Sequence, residues 1–173
     1  MSQSILDRRA VFNVGQQPLN SAWGSVDSTL ADTLCHDGQP ISFHVTAEVQ
    51  TSPFVNDGGV VQLNLIPLTA EEQNGVKAVE LIYSSPGQAG DIQDMRIRTD
   101  HIESSPKLYD GRQAGYNRED NLRRLAPEKL VKGSIVRVEC SLVRYNVGRP
   151  LGGSGWRNWR AGWELKTVTL LAN

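Results

Sequence analysis

The chain has few of the residues from which enzyme active sites and metal centres are usually built. Its 173 residues include only three histidines and two cysteines, and the histidines lack the spacing of metal ligands. Neither a phosphate-binding loop nor a Rossmann glycine pattern occurs. The segment Gly152-Gly-Ser-Gly-Trp156 departs from the nucleophile elbow because it ends in tryptophan instead of glycine. The sequence therefore predicts a protein that is not an enzyme and uses no metal or cofactor.

Long apolar segments are also missing. No apolar run approaches the roughly 20 residues that span a bilayer, and the N-terminus, Met-Ser-Gln-Ser-Ile-Leu-Asp-Arg-Arg, lacks the apolar core of a secretory signal. The two cysteines, Cys35 and Cys140, are too few to form a disulfide framework in a chain of this length. We therefore expect an intracellular protein, nuclear or cytoplasmic, that does not bind membranes.

The near-zero net charge hides an uneven distribution. Residues 1–95 contain 3 Lys/Arg and 11 Asp/Glu, a balance of −8, whereas residues 96–173 contain 15 and 8, a balance of +7. A basic half attracts polyanions. The same split also suits self-association, in which the acidic half of one copy meets the basic half of another.

Alternating apolar residues predict a mainly β domain from residue 40 onward. Strand-like alternation begins at Ile41–Val49, and Asn74-Gly75 has the composition of a hairpin turn. Leu122 and Leu125 are at helical spacing within 118–129. The full prediction is three meander strands over 41–49, 60–68 and 76–84, short strands at 10–14 and 95–100, the helix over 118–129, and final strands over 134–145 and 159–171, with a bulge near Gly162.

This order divides the chain into an irregular N-terminal arm, 1–39, and one domain, 40–173, with an insertion at about 85–130. The order resembles the OB-fold, a five-stranded, partly open Greek-key barrel, here with a short helix before strand four. Leu130-Val-Lys-Gly-Ser-Ile-Val-Arg-Val-Glu-Cys140 looks like the entry to strand four in replication-protein-A-like domains. The resemblance covers about 40–171 and implies single-stranded nucleic-acid binding. A β-sandwich is the alternative architecture.

The clearest functional pattern lies between the last two predicted strands. The loop 147–158 contains four glycines and adjoins three of the four tryptophans, interleaved with arginines. Indole rings stack on unstacked bases, and arginines bind phosphates or stack as cations. Trp163, inside a strand, is expected to belong to the core. The candidate nucleic-acid-binding residues are Phe54, Arg144, Tyr145, Arg149, Trp156, Arg157, Trp159 and Arg160.

The leading hypothesis is therefore binding of single-stranded nucleic acid, DNA more than RNA, with little sequence specificity. Two other functions fit the same sequence. One is a protein-interaction or self-assembly module, a possible homo-oligomer through its oppositely charged faces. The other is a carbohydrate-binding β-domain, since tryptophans also stack on sugars; the surrounding arginines argue against it, because neutral sugars need no positive charge.

Overall fold

The structure, a computed structural model, describes residues 10–51, 54–56, 59–89, 97–99, 106–113, 122–148 and 156–173. The fold is mainly β, as predicted, and its sheet curls into a half-barrel. The elements are β1 (Ala10–Asn13), β2 (Ala22–Trp23), β3 (Leu34–His36), β4 (Gln39–Val49), β5 (Phe54–Asn56), β6 (Gly59–Gln62), β7 (Asn64–Pro67), α1 (Ala70–Tyr83), α2 (Pro86–Ala89), β8 (Ile97–Arg98), β9 (Lys107–Asp110), β10 (Arg123–Arg124), a 3-10 turn (Pro127–Lys129), β11 (Ile135–Asn146) and β12 (Trp159–Ala172).

Three long strands, β4, β11 and β12, form the centre of the sheet. β11 pairs antiparallel with both of the others. Their alternate residues are buried because side chains on a strand point to opposite faces of the sheet. The alternation predicted for these three strands is confirmed. Their inward side chains include Ile41, Phe43, Val45, Ala47 and Val49 from β4, Val136, Val138, Cys140 and Leu142 from β11, and Trp163, Leu165, Val168 and Leu170 from β12.

A β-bulge changes which residues of β12 face the core. The register between β11 and β12 shifts between Glu139 and Cys140, so that Glu139 pairs with Thr167 and Cys140 with Leu165. The extra residue is Lys166. Inward positions are consequently odd-numbered before the bulge and even-numbered after it. The predicted irregularity exists, but it lies at Lys166 and not at Gly162, which pairs in register with Val143.

The predicted third strand, 76–84, is wrong, because this segment belongs to helix α1. Thr69 caps the helix: its Oγ1 accepts a hydrogen bond from the Glu72 backbone N at 3.2 Å and donates one to the Glu72 carboxylate at 3.1 Å. This capping box fixes the helix start. Val76 and Val79 then bury one face of α1. Val76 and Val79 are three residues apart, which is the spacing of one face of a helix and not the two-residue repeat of a strand.

Gly75, taken above as a turn residue, is a packing residue of α1. A Cβ at this position would lie 2.4 Å from the Val14 carbonyl oxygen and 2.9 Å from the Gly15 Cα. Only glycine therefore lets the helix lie this close to the backbone that follows β1. Gly75 of the Asn-Gly pair is therefore required by the contact between helix α1 and the backbone after β1, and not by a hairpin turn.

Two further expectations need correction. The short strand predicted at 10–14 is confirmed as β1, which pairs parallel with β4, but the rest of the described N-terminal segment is less irregular than expected, because β3 pairs antiparallel with the same strand. The predicted helix over 118–129 is also wrong where it is described. Arg123 and Arg124 form strand β10 beside β9, followed by the 3-10 turn at Pro127–Lys129. Residues 114–121 lie outside the described part.

Among the described residues, ten strands form one sheet and β5–β6 a separate hairpin. Along the main path the order is β10-β9-β12-β11-β4-β3-β2, while β7 pairs with β4 and β8. β12 and β9 are parallel, and β8 contacts β12 across the curl. The sheet thus has more strands than the five expected. The 14-residue helix α1 lies between β7 and β8, not before the fourth strand.

Candidate functional site

The predicted site residues Arg144, Trp156 and Trp159 meet at the open end of the β11–β12 hairpin. Arg144 occupies an inward position of β11, and its Cζ lies 4.2 Å from the ring centroid of Trp156 and 5.4 Å from that of Trp159. A third tryptophan, Trp23 of β2, lies 5.2 Å away. We call these four residues the Arg–Trp cap. Each distance is within the range of a cation–π interaction.

Arg144 is tied to the N-terminal segment by two hydrogen bonds. Its Nε donates to the Ala31 carbonyl oxygen at 2.8 Å, and its backbone N donates to the Asp32 carbonyl oxygen at 2.7 Å. The residue is only 8% exposed. Burial lowers the pKa of Arg144, while the nearby charge of Asp32 opposes the shift. The guanidinium stays charged, because the ordinary arginine pKa is so high. It is therefore a largely buried cation that already binds groups of the protein.

Trp159 is anchored to the end of helix α1. Its indole Nε1 donates to the Tyr83 carbonyl oxygen at 2.8 Å, and its backbone N donates to Ser85 Oγ at 3.1 Å. The Ser85 backbone N donates in return to the Trp159 carbonyl oxygen at 3.0 Å. Tyr83 also packs edge-on against Trp23. Trp159 thus closes the end of the half-barrel, which leaves it a positioning role.

Trp163 is a core residue, as expected. It is 1% exposed, and its ring meets that of Phe43 edge-to-face with 5.9 Å between the centroids. Its Nε1 donates to the buried Glu80 carboxylate at 2.6 Å. The short distance is typical of a hydrogen bond to a charged acceptor. Trp163 therefore fixes α1 on the sheet and takes no part in a surface site.

The remaining predicted residues have different places. Arg157 is exposed, and Trp156 is half-buried at the foot of the loop. Arg160 and Tyr145 face each other across β11 and β12 on the outer side of the sheet, opposite to the cap. Arg149 lies outside the described residues. Phe54 is in β5, but its side chain is not described.

Trp23, Tyr83 and Ala31 were not predicted as part of this end of the molecule. Trp23 stands in a polar segment with no periodicity, and Ala31 contributes a backbone carbonyl, which carries no sequence signal. Tyr83 was assigned to a strand. Two signals were available: the capping box Thr69-Ala-Glu-Glu72 indicates the start of a helix, and Pro86 limits how far that helix can continue.

Three other functional features are a metal centre, a membrane-spanning helix and a reactive thiol. Within the described residues, no group of three or more His, Cys, Asp or Glu side chains is arranged to hold a metal ion. No helix in the same part of the chain has both the length and the apolar character to cross a membrane. Burial raises the pKa of the Cys35 and Cys140 thiols, so neither is an activated nucleophile.

The chain was compared with protein-family models, curated proteins and solved structures, and none of them matches it.

Proposed function

We propose that this protein binds single-stranded nucleic acid, DNA in the first instance, at the loop end of the β11–β12 hairpin. Trp156 is the stacking residue, and Arg157 and Arg160 contact phosphates. The observation that carries the proposal is the Arg144–Trp156 pair. Arg144 lies over a half-buried indole at 4.2 Å, which holds the ring in place, and we assign the opposite face of the ring to a base. A preorganised ring loses less conformational freedom when a ligand stacks on it.

The connectivity of the sheet supports the proposal. β4 pairs antiparallel with both β7 and β11, and β7 pairs antiparallel with β8. The order β11-β4-β7-β8 is compatible with a Greek key, in which a later strand returns to lie beside the first; here the β5–β6 hairpin is inserted between β4 and β7, and two helices between β7 and β8. In OB-folds, the loops between the first two and the last two strands flank the binding groove. The corresponding loops here are 50–63, which includes Phe54, and 147–158.

The residues suited to ligand contact are fewer than the sequence predicted. Arg144 and Trp159 act through Trp156, because both are held by hydrogen bonds within the protein. Arg157 is exposed, and Arg160 is half-buried beside Tyr145. Arg149 and Phe54 remain candidates from the sequence.

The test is the affinity for labelled oligothymidylate, measured by fluorescence anisotropy at several salt concentrations. Trp156→Ala is expected to weaken binding by about 5- to 160-fold, because one base–aromatic stack contributes about 1–3 kcal/mol. Trp156→Phe keeps a ring and should retain most of the affinity. Thermal unfolding of each variant checks that the fold is unchanged.

Parallel titrations with single-stranded RNA and duplex DNA define the class of ligand. Preference for either single strand over duplex supports stacking on unpaired bases. A folded Trp156→Ala protein with the affinity of the wild type contradicts the proposal. Salt-sensitive oligomers that bind no oligonucleotide favour the self-assembly alternative.

A further inference from the structure

A second polar surface lies on the outer face of the sheet, at the opposite end of β11 from the Arg–Trp cap. Cross-strand pairing aligns Arg137 of β11 with Thr169 of β12, Thr169 with Tyr109 of β9, and Tyr109 with Arg124 of β10. On the other side of Arg137 lies Thr46 of β4. Directly opposed residues share one face of a sheet. These side chains therefore form one row across five strands.

A second row runs beside the first. Lys107 of β9 pairs with Thr167, Thr167 with Glu139, and Glu139 with His44. Between the two rows is a groove of about 340 Å³. Its lining includes Val11, His44, Arg137, Glu139, Thr167 and Thr169. We call the groove and the adjoining side chains of Lys107, Tyr109 and Arg124 the sheet-face track.

The track is positively charged. Lys107 and Arg124 are exposed, and Arg137 belongs to the first row and lines the groove. Burial, and next the charge of Arg137, lower the pKa of His44, so this side chain is neutral near pH 7 and offers one donor and one acceptor.

Two carboxylates lie close to these cations. Glu139 lines the groove, and Glu72 borders the β4 end of the first row, where its Oε1 accepts a hydrogen bond from the Thr46 backbone N at 3.4 Å. The three cations of the track therefore outnumber the two carboxylates.

A nearby carboxylate does not cancel this charge. Asp110 at the end of β9 accepts two hydrogen bonds from the Arg112 guanidinium, at 3.0 Å from Nε and 2.7 Å from Nη2. These bonds lower the pKa of Asp110 to about 2. Asp110 therefore stays ionised and paired with its own arginine, outside the two rows.

Tyr109 adds a ring to the cations. The Arg124 Cζ lies 4.9 Å from the Tyr109 ring centroid, an arrangement that repeats the Arg144–Trp156 pair on a different surface. Hydroxyl groups of Thr167 and Thr169 line the floor beside it. Cations, hydroxyls and a tyrosine are the groups that contact phosphates and sugars in nucleic-acid complexes.

We propose that the sheet-face track is a second contact surface for the phosphodiester backbone of a single strand whose first contact is at Trp156. This inference rests on the function proposed above. The two surfaces are far apart: Arg137 and Tyr145 are eight residues apart on β11, about 26 Å at 3.3 Å per residue. A strand that occupies both is longer than one that stacks on Trp156 alone.

Oligonucleotide length separates the two contacts. Single-stranded thymidylate can extend beyond the duplex spacing of 3.4 Å per nucleotide, but even at twice that spacing a trimer spans only about 20 Å, whereas a 20-mer spans about 68 Å at the duplex spacing itself. The trimer reaches one surface, and the 20-mer reaches both. The test variant is Lys107→Gln with Arg124→Gln. The matched control is Lys129→Gln with Lys132→Gln, which removes the same charge from two exposed lysines that lie in neither row.

For the 20-mer, the test variant is expected to lose roughly tenfold or more in affinity at 0.1 M salt, with a salt slope shallower by about 1.4, since each single-strand phosphate contact contributes about 0.7. Trimer affinity should stay within about twofold of wild type, as for the control. A 20-mer affinity and slope equal to those of the control overturn the inference while Trp156-dependent trimer binding stands. A wild-type protein that binds neither length overturns the proposed function itself.

Discussion

Replacing Arg144 tests whether the Arg–Trp cap holds the end of the half-barrel together. In Arg144→Met, an apolar stem of similar length remains, but the guanidinium is lost from among Trp23, Trp156 and Trp159. The Nε bond to the Ala31 carbonyl oxygen, 2.8 Å long, is lost as well. The Ala31 carbonyl oxygen then accepts no hydrogen bond from the side chain of residue 144, and the three indole rings lose the cation that they share.

The expected loss follows from the two kinds of contact. A hydrogen bond from a charged donor contributes about 1.5–3 kcal/mol, and a desolvated cation–π contact at the 4.2 Å of Trp156 about 2 kcal/mol. Removing a buried charge returns part of this, because the charge no longer has to be desolvated. We expect a net loss of about 2–4 kcal/mol, a large share of the 5–15 kcal/mol typical of a domain.

Two further variants separate charge from shape. Arg144→Lys keeps the positive charge but lacks the planar group and the Nε donor, so we expect it to recover less than half of the loss. Arg160→Met removes a guanidinium from the outer face, one residue pair along the hairpin, and should change stability by less than about 0.5 kcal/mol.

Urea unfolding, followed by circular dichroism and by tryptophan fluorescence, measures the free energy of unfolding of all three variants. The two signals report different parts of the molecule, because three of the four tryptophans belong to the cap. An Arg144→Met protein within about 0.5 kcal/mol of wild type, at an unchanged denaturant slope, would refute the view that the guanidinium stabilises the cap.

Two predictions concern the seating of α1. Glu80→Ala leaves the buried Trp163 Nε1 without its acceptor at 2.6 Å and should lower the free energy of unfolding by about 1–3 kcal/mol. Glu80→Gln keeps an acceptor oxygen and should lower it by less than half as much. Equal losses for the two variants in urea unfolding would contradict this prediction. A glycine-to-alanine substitution inside a helix is usually stabilising, by about 1 kcal/mol. In Gly75→Ala, however, the new Cβ would lie 2.4 Å from the Val14 carbonyl oxygen, so we expect a lower melting temperature. A higher melting temperature would show that the helix can shift away from this contact.

The central strands were predictable from sequence because their environment repeats every second residue. Every second residue from Ile41 to Val49 and from Val136 to Leu142 lies in the core, although Ser42 and Ser141, which pair on the other face, are buried as well. The bulge at Lys166 was not located, since nothing in a single sequence fixes the register between two strands. Gly162, the residue that drew attention, pairs regularly with Val143.

The sequence predicts a turn and a strand where helix α1 lies, because the glycine at the centre of the helix is required by a tertiary contact and not by a turn. Asn74-Gly75 is a strong local turn signal, yet the contact that requires Gly75 is with Val14, some sixty positions earlier in the chain. The capping box at Thr69 is a local signal for the opposite outcome, the start of a helix. Local signals conflicted here, and the contact between α1 and the chain after β1 decided between them.

The candidate site was predictable in part for a similar reason. The sequence concentrates Arg144, Trp156 and Trp159 around one loop, and they do meet there. What the sequence does not contain is the partner of each group. Trp23 and the Ala31 carbonyl come from the N-terminal segment, and with them Arg144 is a largely buried cation that already binds groups of the protein.

The Arg144–Ala31 hydrogen bond also bears on the order in which the molecule assembles. It joins residues 113 positions apart in the chain. Closing so long a loop is entropically unfavourable until other contacts have brought the two segments together. We therefore expect the cap to form after the hairpin and the N-terminal strands have docked on β4. Contacts made late on the folding path slow unfolding and leave the rate of folding almost unchanged. Loss of the cap should accordingly speed unfolding more than it slows folding.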